Sequence, residues 1–166
     1  MVRRKKKPNN DPSKDRKPNG RLEDVDYGPL ADWVGFNLRM AQAAAFQAFA
    51  RLAKEVGTRP GRFATLMLIG RNPGISQTAL SRANGRDKSS LTPVLNDLAR
   101  IGLVVRQRTR ADQRAYRLSL TPAGRRLLDE LTACARMHER NLDKIIGVKD
   151  QKNFVRVLQR IIAAMG

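Results

Sequence analysis

Residues 75–122, ISQTALSRANGRDKSSLTPVLNDLARIGLVVRQRTRADQRAYRLSLTP, contain two short helical patterns followed by two strand patterns. Ser76 is placed to cap a helix running to about Ala83, since a serine hydroxyl accepts from an otherwise unpaired N–H of the first turn. Asn84-Gly85 then supplies a left-handed stop. A second set of capping residues, Asp87 to Ser90, precedes Leu91, Val94, Leu95, Leu98 and Ile101, which keep helical spacing up to Gly102. Two short helices joined by a glycine-containing turn form a helix-turn-helix. Pro93 falls inside the second helix, where a proline costs about 3 kcal/mol. A later start, with Thr92 as cap and Pro93 at the first helical position, removes most of that cost.

Beyond Gly102, Leu103 to Thr109 and Ala115 to Leu120 read as strands. Tyr116, Leu118 and Leu120 alternate with Ala115, Arg117 and Ser119, the period of a half-buried strand. The hairpin carries Arg106, Arg108, Arg110, Arg114 and Arg117 against one acid, Asp112. A helix-turn-helix followed by a basic hairpin predicts a winged helix-turn-helix on duplex DNA. Gln77, Thr78, Asp87, Lys88, Ser89, Ser90 and Thr92 are the candidate contacts from the helices, and Arg106, Arg108, Arg110 and Arg114 those from the wing.

Charge placement supports this partner. The 166 residues carry 33 Lys and Arg against 15 Asp and Glu, a net +18. Residues 1–21 and residues 100–126 contribute +7 each, so fourteen of the eighteen net charges sit in two short stretches. Such a balance asks for a polyanion. Residues 1–21 are rich in Lys, Arg, Pro and Asn with almost no apolar side chains, the composition of a flexible basic arm. No apolar run follows Arg3 to Lys7 as in a secretory signal, and no span of about 20 apolar residues predicts a membrane helix.

The flanks of the winged unit are apolar. Leu30 to Ala53 has only Asp32, Arg39 and Arg51 as charges, with Trp33, Phe36, Met40, Phe46 and Phe49 among many alanines. A helix apolar nearly all round is buried on more than one side. Pro60-Gly61 restarts the chain into a short helix, Phe63 to Ile69. Thr121-Pro122 opens a long helix that Gly147 breaks, and a last helix begins at Asp150 with Phe154, Val157, Leu158, Ile161 and Ile162 on one face. These stripes exceed what a small central domain can cover, which predicts a homodimer. The expected organisation is a basic arm (1–21), an N-terminal dimerisation helix (22–58), the winged domain (59–121) and C-terminal dimerisation helices (122–166), a mainly α, α+β fold.

One Cys and one His exclude a disulfide framework and an ordinary zinc site, and the single thiol fits a cytoplasmic protein. No glycine-rich phosphate loop or carboxylate pair suggests an enzyme, and no cofactor is expected. A signal-independent nucleoid or RNA-binding protein is the other binding class. Single-strand readers need stacking aromatics beside basic residues, and the wing offers Tyr116 alone.

In order, Ser76-Gln77-Thr78-Ala79-Leu80, Leu103-Val104, Asp112-Gln113-Arg114 and Leu120-Thr121-Pro122-Ala123-Gly124 resemble the signature of the MarR family of bacterial transcriptional regulators, from about Leu30 to the C-terminus. The resemblance implies a homodimer on a near-palindromic operator, with Asp112 bracing the wing, Arg114 in the minor groove and Asp87 to Thr92 in the major groove. It also implies release of DNA by an acyl, phenolic or oxidant signal. Leu91-Thr92-Pro93 is similar to the hydroperoxide-sensing branch, which uses a reactive cysteine near its N-terminal helix. Here the cysteine is Cys134, on the long C-terminal helix between apolar neighbours, a setting in which thiols are usually inert.

The second kind of signal is a small molecule. Trp33, Phe36, Met40, Phe63, Met67 and Met137 are expected to wall an apolar cleft, with Arg39, Arg62 and His138 as polar partners for an anion. The resemblance to a branch governing aromatic catabolism makes an aromatic acid or its coenzyme A thioester the expected effector.

Overall fold

The computed structural model describes residues 25–57, 59–108 and 116–165. The basic arm (1–21) lies outside them, as does the wing tip with Arg110, Asp112 and Arg114. The chain divides into two compact units, residues up to Asn37 and Leu38–Gly166.

In the first unit, Pro29 lies in the first turn of a 3-10 turn, Gly28–Asp32, and Trp33 is extended before helix α1 (Val34–Glu55) begins. The sequence pattern places the start at Leu30. The α-helix starts four residues later, and Asn37 Nδ2 bridges the break by donating to the Ala31 and Trp33 carbonyls, 2.9 Å each.

The second unit follows the sequence closely. Helix α2 (Phe63–Arg71) precedes α3 (Gln77–Ala83) and α4 (Lys88–Arg100). Strands β2 (Val104–Arg108) and β3 (Tyr116–Leu120) form the hairpin, and α5 (Pro122–Ile146) and α6 (Val148–Met165) complete the chain. The sequence reading lacked β1 (Ile75–Ser76), which pairs antiparallel with β3 through Ile75 opposite Leu118. Two residues are too few to show alternation. The sheet order is β1-β3-β2.

Three of the expected caps form. Ser76 Oγ accepts from Ala79 N, Asp87 Oδ1 from Ser90 N, and Thr121 Oγ1 from Gly124 N. Because Asp87 caps α4, the helix starts before Pro93 and encloses it, against the later start at Thr92. The ring sits on an exposed face near the start of the helix, so the missing N–H leaves only one bond of an early turn unmade. The last helix starts at Val148 rather than Asp150. Gly147, at φ +89°, turns the chain within one residue and no loop is needed.

The core gathers Leu66 and Ile69 of α2, Leu80 of α3, Leu91, Leu95 and Leu98 of α4, Leu118 of β3 and Leu131 of α5, all fully buried. Phe49 and Ala53 of α1 close it from one side. By contrast α6 buries nothing, and Phe154, Val155, Val157, Ile162 and Met165 are exposed.

Candidate nucleic-acid interface

The start of α4 is a fixed, polar and exposed end. Asp87 Oδ1 accepts from Ser89 Oγ at 2.5 Å and from Ser90 N at 2.7 Å. Donation by Ser89, and next by the Ser90 N–H, holds the Asp87 carboxyl at about 2, below its ordinary 3.8. Ser90 Oγ returns a bond to the Asp87 carbonyl, 3.1 Å. Thr92 Oγ1 donates to the Lys88 carbonyl and accepts from Gln77 Nε2, both at 2.7 Å, so Gln77 ties α3 to α4. Asp87, Lys88, Ser89 and Ser90 are exposed, and Gln77, Thr78 and Thr92 half-buried. Seven of the sequence-selected residues thus share the α3–α4 corner. Asp87 and Gln77 spend side-chain atoms on holding that corner, and Lys88 presents its charge outward.

The second flank of α4 is pinned by charge. Asp97 accepts from Arg100 Nη2 at 2.6 Å and is paired with Arg62 from the turn before α2. Arg100, and after it Arg62, lowers the Asp97 carboxyl below its ordinary value.

The hairpin arginines differ from one another. Arg108 is exposed, with Nη2 3.5 Å from the Tyr116 hydroxyl and its guanidinium 5.8 Å from that ring's centre. Arg117 Nη1 donates to the Gly74 carbonyl, 3.1 Å, and so fastens β3 to the turn before β1. Arg106, selected from sequence as a wing contact, is half-buried instead, because alternation puts it on the face of Val104, opposite Leu118. Its Nε and Nη2 are shielded from solvent and have no hydrogen-bond partner among the described residues.

Within the second unit the sequence-selected effector residues do not share one cleft. Trp33 and Phe36 belong to the first unit, where Trp33 is exposed and Phe36 tilts onto Tyr27 with ring centres 5.5 Å apart. Met67 packs against the core, and Met137 is exposed. Arg62 is paired with Asp97 and lines neither apolar cavity between α1 and α5. Arg39 is exposed and Met40 half-buried, and neither lines a cavity described below.

Two apolar cavities nevertheless lie between α1 and α5. One, about 450 Å³, is lined by Ala41, Ala44, Ala48, Arg51, Asn141 and Ile145 among others. The other, about 290 Å³, is lined by Phe46, Phe49, Phe63, Ala135 and Glu139 among others. Ala45 and His138 line both. The His138 ring stands 5.8 Å from Phe49, which stands 5.4 Å from Phe63. Of the selected set only Phe63 and His138 meet here. Phe46, Phe49, Arg51 and Asn141 line these cavities and stand outside the sequence-selected set, although the 41-44-45-48 alanine spacing marks that face of α1. Cys134 is half-buried, its Sγ 3.7 Å from the Leu52 carbonyl.

Among the described residues no cluster of acids, His and Cys is placed to hold a metal ion, and no helix is long and apolar enough to cross a membrane.

The arrangement recurs in known proteins. The sequence pattern of the MarR family matches residues 57–115. A protein of Thauera aromatica named as a transcriptional regulatory protein for the hcr operon is 33% identical over 144 residues, 86% of this chain and 87% of that protein. The transcriptional repressor CouR, solved bound to a 23-mer DNA duplex, superposes with a TM-score of 0.77 at 29% identity, over 83% of this chain and 98% of its own. CouR bound to p-coumaroyl-CoA gives 0.76 at 28%, over 86% and 99%. The PcaV transcriptional regulator from Streptomyces coelicolor, in complex with its natural ligand, gives 0.76 at 25%, over 86% and 100%. These relatives are named as transcriptional regulators. Capped helix pair, basic hairpin and apolar flanking helices are thus those of a known group, and the chain belongs to the MarR family of winged helix-turn-helix transcriptional regulators.

Proposed function

We propose that this regulator is a homodimeric repressor that leaves a near-palindromic operator when an anion with an apolar body binds beside α5. The observation that carries the effector reading is the pair of apolar cavities sharing His138, with Arg51 and Asn141 as polar groups on their walls. An aromatic acid or its coenzyme A thioester is the class these walls suit, and CouR, bound to p-coumaroyl-CoA in one structure and to DNA in another, supports it. Phe63 and His138 carry over from the sequence-selected set, and Phe46, Phe49 and Arg51 join them.

In this reading Lys88, Ser89, Ser90 and Thr92 face the major groove, held by Asp87 and Gln77. Arg108 with the wing-tip Arg110 and Arg114 meets the backbone and minor groove, and Asp112 braces the tip. The exposed apolar face of α6 and the alanine-rich α1 form the dimer contact, and the arm (1–21) adds non-specific attraction for DNA. A ligand shifts the DNA-bound population only through its different affinity for the two states.

The test is operator release by aromatic acids, their coenzyme A thioesters and hydroperoxides. Wild type and Cys134→Ser are expected to respond alike to an aromatic acid or thioester, and His138→Ala or Phe49→Ala to lose the response. Release by hydroperoxide alone, abolished in Cys134→Ser, makes the protein a redox switch and overturns this reading.

A further inference from the structure

A third cavity, about 210 Å³, lies on the flank of α4 away from the cavities beside α5. Arg59 and Arg62 line it from the turn before α2, Arg86 from the loop before α4, and Pro93, Val94 and Asp97 from α4 itself. The place is built. Arg86 is held at both ends of its backbone by one buried serine, since Ser81 Oγ donates to the Arg86 carbonyl at 2.5 Å and Arg86 N donates to the Ser81 carbonyl at 3.2 Å. Its guanidinium lies over Gly61, where an added Cβ would stand 3.8 Å from Arg86 Nη2.

The charges do not balance within the pocket. Asp97 is the acid that lines it, and that carboxylate already serves Arg62 and Arg100. Arg59 and Arg86, both exposed on the rim, add two cations that Asp97 does not match. Position identifies the anion that these cations suit. On α4, Leu91, Leu95 and Leu98 mark the core face, and the Gln77–Thr92 bond marks the flank toward α3. Pro93 and Asp97, four residues apart, mark the other flank. A helix about 10–12 Å across fills a major groove about 12 Å wide, so a phosphate chain runs along each of its flanks.

We propose that the Arg59–Arg62–Arg86 pocket seats one backbone phosphate of duplex DNA per protomer, fixing the register of α4 in the groove. This rests on the DNA-binding reading above. Arg59 and Arg86 donate to the phosphate oxygens, and Arg62, held by Asp97, supplies a fixed positive wall. Such a contact strengthens binding on all sequences and carries no base preference.

The experiment compares wild type, Arg59→Gln/Arg86→Gln and Lys88→Ala on a mixed-sequence duplex across a salt series, with circular dichroism confirming the fold. The double variant is expected to bind more weakly on every sequence, its log affinity against log salt shallower by about 0.9 for each protomer on the duplex. If the double variant keeps the wild-type slope and affinity while Lys88→Ala loses both, the pocket proposal fails and the DNA reading stands. If wild type shows no salt-dependent duplex binding, both fail. Thermal stabilisation by inorganic phosphate at constant ionic strength, lost in the double variant without a change of DNA slope, would assign the pocket to a small anion and overturn the proposal.

Discussion

Gly124, in the first turn of α5, lies so close to Leu103 that a Cβ on the glycine would stand 2.0 Å from the Leu103 carbonyl oxygen. That oxygen also accepts from Thr121 N at 3.0 Å, and Thr121 Oγ1 donates to the Gly102 carbonyl at 2.7 Å. The entry to β2 and the start of α5 are thereby clamped together, closing the winged unit on itself.

Gly124→Ala is expected to destabilise the fold, because the obstacle is backbone and cannot rotate away. Overpacking of this kind costs about 1–3 kcal/mol. Urea denaturation checks it, and a midpoint equal to wild type would mean that α5 can slide off β2 without loss.

Arg106→Met is expected to leave the protein as stable or make it more stable by about 1 kcal/mol, since buried donors without acceptors cost about 1–3 kcal/mol. The substitution should leave the salt dependence of DNA binding unchanged, whereas Arg108→Ala should reduce it. A clear loss of stability in Arg106→Met would show that the guanidinium finds an acceptor in the folded protein.

Acid should loosen α4. A carboxyl depressed in the folded state contributes stability that is fully present above its ordinary value, 3.8, and is lost as pH falls through the folded value. For Asp87 that window runs down to about 2, and Asp97, also lowered, contributes in the same direction. The protection of the Ser89 and Ser90 amides, measured against intrinsic exchange at the same pH, should therefore fall on acidification through this range, and Asp87→Asn should blunt the pH response.

Deleting residues 148–166 should weaken the dimer, because the apolar face of α6 covers little within its own chain. Light scattering should give twice 18.6 kDa for the full chain and a concentration-dependent fall toward the monomer mass after deletion. A truncated protein that stays dimeric at low concentration would place the contact on α1 alone.

The helices of the winged unit and the two hairpin strands were legible in the sequence, because their signals are local. Ser76, Asp87 and Thr121 each cap a helix through a bond three residues ahead, and the alternation of Tyr116, Leu118 and Leu120 fixes which face of β3 is buried. Alternation from Val104 puts Arg106 and Arg108 on one face of β2, yet Arg106 is half-buried and Arg108 exposed, a difference the local rule does not contain. Other features were beyond any local pattern. The pairing of Ile75 with Leu118 spans two helices and strand β2, the bond of Arg62 to Asp97 joins positions 35 apart, and the cavities beside His138 exist only where α1 lies along α5. Trp33, Phe36, Met40 and Met67 are apolar and near one another in sequence, which made them candidates for one cleft. Whether a side chain lines a cavity, packs in the core or faces solvent depends on the helix set opposite it, and only the tertiary structure decides that.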